Sequence, residues 1–399
     1  MSATRATRRA IPPLLKDLNE RTVLETIREA APISRAEISR RAGISKPTVS
    51  LALQSLLEAG LVRETSDSPG GPSYGAVYFE PVPDAALVLG LDLGARFLRG
   101  AICDLGGEIR ARRDVELPRP EAAAAVDLAS TLLDTLIEAT GLEPDLIDGA
   151  VVGVPGVVEA RTGKVRVTHF SDLDGRAFGA ELGGRLGLPV TLENDINLAA
   201  VGEHWLGVAR GVGDFVFLSI GTGLGSGLVL RGELHRGHNG AAGEVDYALI
   251  GLGQAVDPSA GAVSDLAARL APEHPASTLA PPFDVRAIFA AARVGDTLAR
   301  GVVEEVARRI ALHVSALAAV ADVELVVLGG GLGANGDLLL EPVRGLLRGW
   351  LPYPPRVEVS SLGEAAVLTG ALAVGLHSAL DSVFLNRAGA QVSGSARVS

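Results

Sequence analysis

The sequence predicts an α/β protein made of a small helical head and a larger body in which strands and helices alternate. Three observations support this prediction. Helix-start signals and a glycine turn follow one another within residues 12–58. Apolar β-branched runs alternate with helical patterns from Leu87 onward. Finally, residues 215–230 have the pattern of a strand, a glycine-dense turn and a second strand.

Length and composition limit the possible classes of protein. A chain of 399 residues is long enough for two or three domains with a large core. Its single cysteine, Cys103, excludes an internal disulfide and any zinc site built from several cysteines. Since the sequence has no uninterrupted apolar run of about 18 residues and no apolar segment behind its basic N-terminus, we expect a cytoplasmic protein without a membrane partner.

The charge is unevenly distributed. Residues 1–65 hold 11 Lys and Arg against 7 Asp and Glu, a balance of +4, whereas the whole chain is at −11. The remaining residues, 66–399, therefore carry −15. A cationic head on an anionic body is typical of a protein that binds a polyanion.

The head begins with helix signals. After a loose basic leader at residues 1–11, a helical pattern over residues 12–31 ends at Pro32. Ser34 and Glu37 have the spacing of a capping box, in which each side chain satisfies a free N–H group of the other residue. This capping box predicts the start of a second, short helix.

A third helix follows the turn at Gly43. Ser45 is its predicted cap, Pro47 lies in its first turn, and Val49, Ala52, Leu53 and Leu56 form its buried stripe. Two helices joined by a glycine turn form a helix-turn-helix, whose second helix enters the DNA major groove. The side chains predicted to contact bases are Ser45, Lys46, Thr48, Ser50 and Gln54, and those predicted to contact phosphates are Arg35, Arg40 and Arg41. A helical hairpin used for oligomerisation is the alternative.

A predicted β-hairpin completes the head. Residues 60–63 and 77–79 have strand character around the turn at residues 68–72, which predicts a wing. The head therefore spans residues 12–80, and residues 81–86 are the predicted linker. Because one helix-turn-helix covers little DNA, we expect a homodimer or dimer of dimers on a near-palindromic operator.

The body alternates strands with helices. Its predicted strands are 87–93, 97–104, 149–154, 188–192, 215–220, 228–230, 324–328 and 357–359. Its predicted helices are 122–139, 196–205, 264–270, 283–292, 298–319 and 363–379. The Gly-, Ala- and Ser-rich tail, residues 386–399, is predicted to be flexible.

The glycine-rich stretch carries a resemblance to a known family. Gly221-Thr222-Gly223-Leu224-Gly225, followed by residues 232–237 and Gly240-Ala241-Ala242-Gly243-Glu244, resembles the signature of the ROK family of bacterial sugar kinases and sugar-responsive repressors. The head resembles the winged helix-turn-helix that many ROK regulators carry. The resemblance implies a two-lobed, actin-like ATPase (ribonuclease H-like) fold for residues 87–385. Lobe 1 would span about 87–195 plus the C-terminal helix, and lobe 2 about 196–362.

The resemblance also implies site residues. Asp195 matches the family's general base, Asn194 its neighbouring sugar ligand and Glu244 a sugar-binding Glu; Tyr247 stands beside them as a candidate effector contact. A helix cap is the alternative role for Asn194 or Asp195. The residues of the nucleotide-binding loops would be Asp92, Gly94, Gly221, Thr222, Gly223, Gly225 and Gly330.

The sequence departs from the kinases of the family at two places. Ala95 and Arg96 replace a Gly and a Thr in the first phosphate loop, where the backbone must approach a phosphate closely. The zinc-binding His and the Cys-rich stretch are absent, so we expect no zinc. Loss of one phosphate cradle should remove most of a kinase rate.

We therefore expect a DNA-binding repressor that responds to a sugar or sugar derivative. One alternative is an ATP- and Mg²⁺-dependent sugar kinase with a DNA-binding head, in which Asp195 would be catalytic. Another is a protein-interaction role in which both sites are vestigial.

Overall fold

The computed structural model describes residues 12–66, 77–166, 168, 170, 172–248 and 250–395. The predicted leader, residues 1–11, and the predicted wing tip, residues 68–72, lie outside the described residues.

The head contains the predicted helix-turn-helix. Ser34 Oγ accepts a hydrogen bond from Glu37 N (3.4 Å), Ser45 Oγ accepts one from Thr48 N (3.4 Å), and Gly43 has a left-handed φ of 67° that only glycine adopts easily. The short strands form a sheet in the order β1-β3-β2. The elements are α1 (Pro12–Ala30), β1 (Ile33–Ser34), α2 (Arg35–Ala42), α3 (Lys46–Glu58), β2 (Val62–Thr65) and β3 (Tyr78–Pro81).

The segment that joins the head to the body is packed rather than loose. Val82 N donates to Leu61 O (3.0 Å), and Leu105 N in the body donates to Pro83 O (3.0 Å). Ala86 is buried. The predicted linker therefore holds the head against the body instead of separating the two.

Lobe 1 is built on a sheet of five strands within the described residues, in the order β10-β7-β4-β5-β6. β10, β7 and β4 are parallel, whereas β5 and β6 continue the sheet antiparallel from β4. The elements are β4 (Leu87–Leu93), β5 (Phe97–Asp104), β6 (Ile109–Glu116), α4 (Ala122–Thr140), β7 (Ile147–Val154), β8 (Val157–Val158), β9 (Val165–Arg166), α5 (Phe178–Leu186) and β10 (Val190–Asn194). The next helix, α6 (Asp195–Leu206), follows β10 directly and, apart from its crossing with the C-terminal helix, packs mainly against lobe 2.

Lobe 2 repeats this topology. Its described strands follow the order β13-β12-β11-β14-β15, with β11, β14 and β15 parallel and β12 and β13 antiparallel. The two lobes therefore form the duplicated α/β fold that the sequence predicted. The elements are β11 (Phe215–Ile220), β12 (Leu224–Leu230), β13 (Glu233–Leu234), α7 (Ala260–Leu270), α8 (Val285–Arg293), α9 (Thr297–Ala321), β14 (Leu325–Gly329), α10 (Gly330–Gly333), α11 (Gly336–Trp350) and β15 (Arg356–Val359). The C-terminal helix α12 (Ala366–Ser395) returns to lobe 1.

The helices α6 and α12 cross closely between the lobes. A Cβ atom added to Gly370 would lie 1.8 Å from Leu198 O, and one added to Gly202 would lie 2.3 Å from Ala366 O. The absence of side chains at these two positions lets the helix backbones touch. α12 also packs against β4 and β7 of lobe 1.

Sequence patterns missed several elements. The edge strand β6 is exposed along most of its length and has no apolar alternation, α5 contains three glycines, and α11 contains Pro342. Within the predicted glycine turn, residues 224–227 belong to β12. The helical backbone of α12 continues through Asn386, where the sequence predicted a flexible tail to begin.

Among the described residues, one stretch, Gly363–Val383, has the length and composition of a membrane-spanning helix. Half of its window is buried inside the protein. α12 therefore has the environment of a core helix.

Candidate functional site

Three carboxyl groups lie near enough to one another for two of them to influence the ionisation of the third. Asp92 lies near the end of β4, Asp195 begins α6 directly after β10, and Glu244 follows the loop after β13. The carboxyl ends of parallel strands are where α/β proteins place ligand groups. The charges on Asp92 and Glu244 both influence Asp195. The structure thus brings together three of the side chains that the sequence proposed.

The carboxyl groups of this cluster resist ionisation. Burial, reinforced by the charge on Asp92, raises the pKa of Asp195 to about 7. Burial also raises the pKa of Asp92 to about 6, although Arg99 opposes this by donating to Asp92 Oδ2 (3.1 Å). The pKa of Glu244 is raised as well, by burial and then by the charge on Asp246. A carboxyl group that titrates near neutral pH can donate or accept hydrogen bonds with a hydroxyl ligand.

Asn194 has a structural role. Its Oδ1 accepts from Asn197 N (2.9 Å), which caps α6, and its Nδ2 donates to Gly156 O (2.9 Å), which ties down the loop after β7. The predicted cap is therefore confirmed. A role of Asn194 in binding an effector stays a prediction.

Beside these carboxyl groups, a partly buried ion pair that the sequence patterns did not predict holds the start of α6 in place. Glu193 Oε2 accepts from Arg236 Nε (2.5 Å), and Glu193 Oε1 accepts from Asn197 Nδ2 and Asn194 N (both 2.9 Å). Glu193 is 7% exposed, whereas Arg236 is half-exposed. Glu193 thereby joins the start of α6 to the loop that leads to Glu244. A charged residue directly before Asn194-Asp195 was the available sequence signal.

Close packing at Gly243 fixes the backbone of the segment that carries Glu244. Gly243 has φ +96°, and a Cβ atom there would lie 2.0 Å from Ser226 O. Gly243 O accepts from Ser226 Oγ (2.9 Å). Tyr247, in contrast, is 53% exposed on a short 3₁₀ turn. Because Tyr247 is not buried beside the three carboxyl groups, its position gives no support to the predicted effector contact.

The first phosphate-type loop does not form an open cradle. Gly94 N donates to Phe97 O (2.9 Å), so this N–H group is already engaged. Arg96 is exposed, and its guanidinium lies 5.7 Å from the centre of the Phe97 ring. The Arg96 guanidinium therefore lies against the ring of its neighbour Phe97. Ala95 and the occupied Gly94 N–H group still disfavour phosphate binding here.

The second loop has room for a phosphate, although its Gly221 N–H group is also engaged, by Gly223 O (2.9 Å). Cβ atoms at Gly221 and Gly223 would meet nothing within 4 Å, and neither residue has a left-handed φ. Neither packing nor backbone conformation therefore explains these two glycines, whereas close approach of a ligand would. Gly225 differs, because a Cβ atom there would lie 2.5 Å from Ile196 Cδ1. Gly330 likewise serves packing, since its φ is +75° and a Cβ atom would meet Ile220 O at 2.4 Å.

The predicted DNA-binding residues lie around one outward surface of α2 and α3. Lys46 and Gln54 are exposed, and Thr48 and Ser50 are partly exposed. Ser45 Oγ and Thr48 Oγ1 are 2.8 Å apart. Gln54 Nε2 donates to Glu58 Oε1 (2.9 Å). These side chains are accessible to the edge of a DNA base. Gln54 would have to break its hydrogen bond with Glu58 before its amide could donate to a base.

Two of the predicted phosphate contacts are already paired. The Glu37 carboxylate binds Arg40 and also Arg41 (Arg41 Nε to Oε1, 2.6 Å), and these pairs lower the pKa of Glu37. Only half of the predicted capping box forms, because Glu37 turns to the arginines instead of to Ser34 N. Arg35 Nη1 donates to Ser50 Oγ (3.3 Å), which joins α2 to α3.

Among the side chains that the structure describes, no group of three or more His, Cys, Asp or Glu is placed to hold a metal ion.

Like Arg236, Arg99 is a cation near the carboxyl groups that the sequence patterns did not predict. It contacts Asp92, Asp114 and Glu364. A lone arginine in the apolar strand β5 was its sequence signal.

Known proteins resemble this chain in sequence over both the head and the body. The profile of a winged helix-turn-helix DNA-binding domain matches residues 16–63, and that of the ROK family matches residues 88–377. The xylose repressor of Caldicellulosiruptor bescii is 27% identical over 382 residues, which cover 90% of this chain and 96% of the repressor.

Solved structures share the fold. A ROK family transcriptional regulator described as a homologue of the E. coli MLC protein superposes with a TM-score of 0.77 and 23% identity, covering 93% of this chain and 98% of the regulator. A ROK family glucokinase from Streptomyces griseus, solved with glucose and AMPPNP, has a TM-score of 0.62 and 28% identity, covering 72% of this chain and 99% of the kinase. Because the family profile matches more than half of its residues, this chain belongs to the ROK family.

Proposed function

We propose that this protein is a transcriptional repressor whose DNA affinity is set by a sugar or sugar derivative bound between the two lobes. In this proposal residues 12–80 bind operator DNA, residues 81–86 connect the parts, and residues 87–385 bind the effector through Asp195 and Glu244. Asn194 would cap α6 and also bind the effector through the second lone pair of its Oδ1. Tyr247 would contact the effector from the edge of the site.

The observation that carries this proposal is the double contact of α12. On one side α12 crosses α6, the helix that begins with Asp195. On the other side Leu372 and Leu376 join the same hydrophobic cluster as Val23 and Ile27 of α1. A change in how the lobes close would therefore reach the head through a packed helix.

The relatives support the same division. The xylose repressor of C. bescii aligns over 90% of this chain, whereas the S. griseus glucokinase covers 72%. The longer match extends beyond the body into the head. We therefore infer that a sugar acts on this protein as an effector.

A specific observation favours a second candidate, an ATP-dependent sugar kinase with a DNA-binding head. Asp195 has a pKa of about 7, suited to a general base, and Gly221 and Gly223 leave room for a phosphate. The engaged N–H group of Gly94 and the Cβ atom of Ala95 oppose it. Since phosphoryl transfer depends on positioning, we expect little turnover.

The test separates these candidates. Thermal unfolding is followed against a panel of sugars with and without ATP, because a ligand stabilises the folded state according to its concentration relative to Kd. Operator binding and sugar-dependent ADP release are then measured for wild type, Asp195→Asn and Glu244→Gln. Loss of the effector response with operator binding intact supports the repressor. ADP release by wild type at ordinary kinase rates, abolished in Asp195→Asn, would overturn it in favour of the kinase.

The repressor proposal includes a cytoplasmic homodimer or dimer of dimers on a near-palindromic operator. Two heads would have to meet half-sites about 34 Å apart, so modest lobe rotation can change affinity. Light scattering at micromolar concentration with footprinting tests this assembly. A monomer that binds one half-site tightly would contradict it.

A further inference from the structure

An exposed leucine lies at the centre of the outward face of α3. The helix packs on the head through Val49, Ala52, Leu53 and Leu56, which are all buried. Leu51, between them in sequence, is 68% exposed. A single exposed leucine is ordinary on a protein surface, so its position and its charged surroundings decide what it can contact.

Helix geometry places Leu51 on the outward face of α3, opposite its buried face. With 3.6 residues per turn, Pro47, Leu51, Gln54 and Glu58 form one stripe almost directly opposite the buried face. All four are exposed. Gln54 and Glu58 bond to each other, so they present a paired amide and carboxylate to a partner. Leu51 is the aliphatic side chain near the middle of this stripe, one turn before Gln54.

The surroundings of Leu51 indicate the chemistry of that partner. Four cations, Lys46, Arg35, Arg40 and Arg41, lie on α2 and at the start of α3, and they outnumber the two carboxylates of these helices, Glu37 and Glu58. An apolar contact between copies of this chain would place this cationic rim against another cationic rim, which is unfavourable. Duplex DNA instead offers phosphates to the rim and, in its major groove, the C5-methyl group of thymine to an apolar side chain.

We propose that Leu51 determines sequence specificity by packing against a thymine methyl group in the operator. This inference rests on the proposed DNA-binding function and adds one base identity to it: each half-site has an A·T pair opposite the middle of α3. Leu51 then supplies direct readout of the base, while Arg35 and the other cations supply sequence-independent affinity.

The experiment removes the methyl group without changing the base pair. A tight site is first selected from a random duplex library with the full-length protein. Each thymine of the half-site is then replaced by deoxyuridine, and Kd is measured for wild type, Leu51→Ala and Leu51→Met. For wild type, replacement at one thymine position of the half-site should weaken binding about fourfold for each methyl group removed. Leu51→Ala should bind the thymine site more weakly and lose this discrimination, whereas Leu51→Met, which stays apolar, should keep it.

Leu18→Ala is the matched control, because Leu18 is also exposed (59%) but lies on α1. It should leave the discrimination unchanged. A wild-type protein that selects no site overturns the DNA-binding function and this inference with it. A protein that selects a site without any methyl-sensitive thymine, or whose Leu51→Ala variant keeps the sensitivity, overturns this inference alone. A Leu51→Ala variant that changes oligomeric state but not DNA affinity would assign the side chain to a protein contact and also overturn it.

Discussion

At the residue scale, the fold holds Asp195, the side chain proposed to bind the effector, where its ionised form costs stability. Its side chain accepts from the backbone N–H of Ile196 (2.9 Å), which favours the ionised form. Burial and the neighbouring charges of Asp92 and Glu244 oppose ionisation and prevail, since the pKa rises to about 7. A carboxyl group with such a perturbed pKa is a candidate for a functional site, which agrees with the proposed role of Asp195.

This arrangement predicts a pH-dependent gain in stability for Asp195→Asn. The folded-state pKa of about 7 lies above the ordinary value of 3.8. The stability contributed by proton binding is therefore complete below about pH 4 and is lost as pH rises through 7. One pKa unit corresponds to about 1.4 kcal/mol, so the variant should gain more than about 1 kcal/mol at pH 8 and little at pH 4. Urea unfolding at both pH values measures this.

Asp134→Asn is the control, since Asp134 is exposed on α4 and its substitution changes the net charge equally. It should show no comparable difference between the two pH values. Equal gains for both variants would contradict the assigned origin of the shift.

Glu37 is a second residue whose partners carry a prediction. Because its carboxylate binds Arg40 and Arg41, it withholds positive charge from the DNA-facing surface. Glu37→Gln should raise affinity for unrelated DNA at low salt. The slope of log K against log salt should steepen by the amount expected for up to about two additional phosphate contacts. Fluorescence anisotropy across a salt series measures both. Glu25→Gln, an equal charge change at an exposed position of α1, should have a smaller effect.

At the element scale, the crossing of α6 and α12 joins the site to the rest of the molecule. Gly202 and Gly370 allow contact between the helix backbones, and Glu203, fully buried on α6, accepts from Val208 N (2.9 Å) and Leu362 N (3.1 Å). Glu203 thereby holds the C-terminal end of α6 to the segment before α12. Relative movement of the lobes must change this crossing or rotate about it.

Gly370→Ala should disrupt the crossing. The added Cβ atom would lie 1.8 Å from a backbone oxygen, Leu198 O, which cannot move aside like a flexible side chain. We expect a loss of more than about 2 kcal/mol in the free energy of unfolding. Gly301→Ala on α9 is the matched control, since its Cβ atom would meet nothing within 4 Å, and it should gain up to about 1 kcal/mol. Comparable stability of the two variants in urea unfolding would refute the close crossing.

At the scale of the whole molecule, the head and lobe 1 share one core. One hydrophobic cluster includes Ile38 and Leu56 of the head together with Cys103 and Leu376 of the body. Polar contacts add to it, since Arg28 Nε donates to Leu105 O (2.7 Å) and Arg21 pairs with Asp381. The head is therefore a part of the body's surface layer and not a module on a tether.

Leu376→Ala tests this shared core. Leu376 is 1% exposed, and its truncation should cost about 2–5 kcal/mol and raise hydrogen exchange in α1 and α12 together. Leu347→Ala, at a position equally buried in lobe 2, should cost a similar amount while α1 keeps its protection. If α1 responds to neither variant, or equally to both, the head does not depend on the core it shares with α12.

The sequence by itself determined the fold class, the helix-turn-helix and the phosphate-type loops, because these follow from local patterns. Caps such as Ser34 and Ser45, and the apolar alternation of the buried strands, act within a few residues and are visible in the chain. Sequence patterns failed where local signals were weak: the exposed edge strand β6 lacks an apolar face, and the Pro and Gly residues in α11 argue against a helix that tertiary packing nevertheless stabilises.

Only the tertiary structure decided which of the candidate residues are available to a ligand. Whether Gly225 faces a ligand depends on Ile196, which is far from it in sequence. The pKa of Asp195 depends in the same way on Asp92 and Glu244, which are far from it in sequence. Burial and electrostatic interaction are properties of spatial arrangement, so no local pattern in the chain reports them.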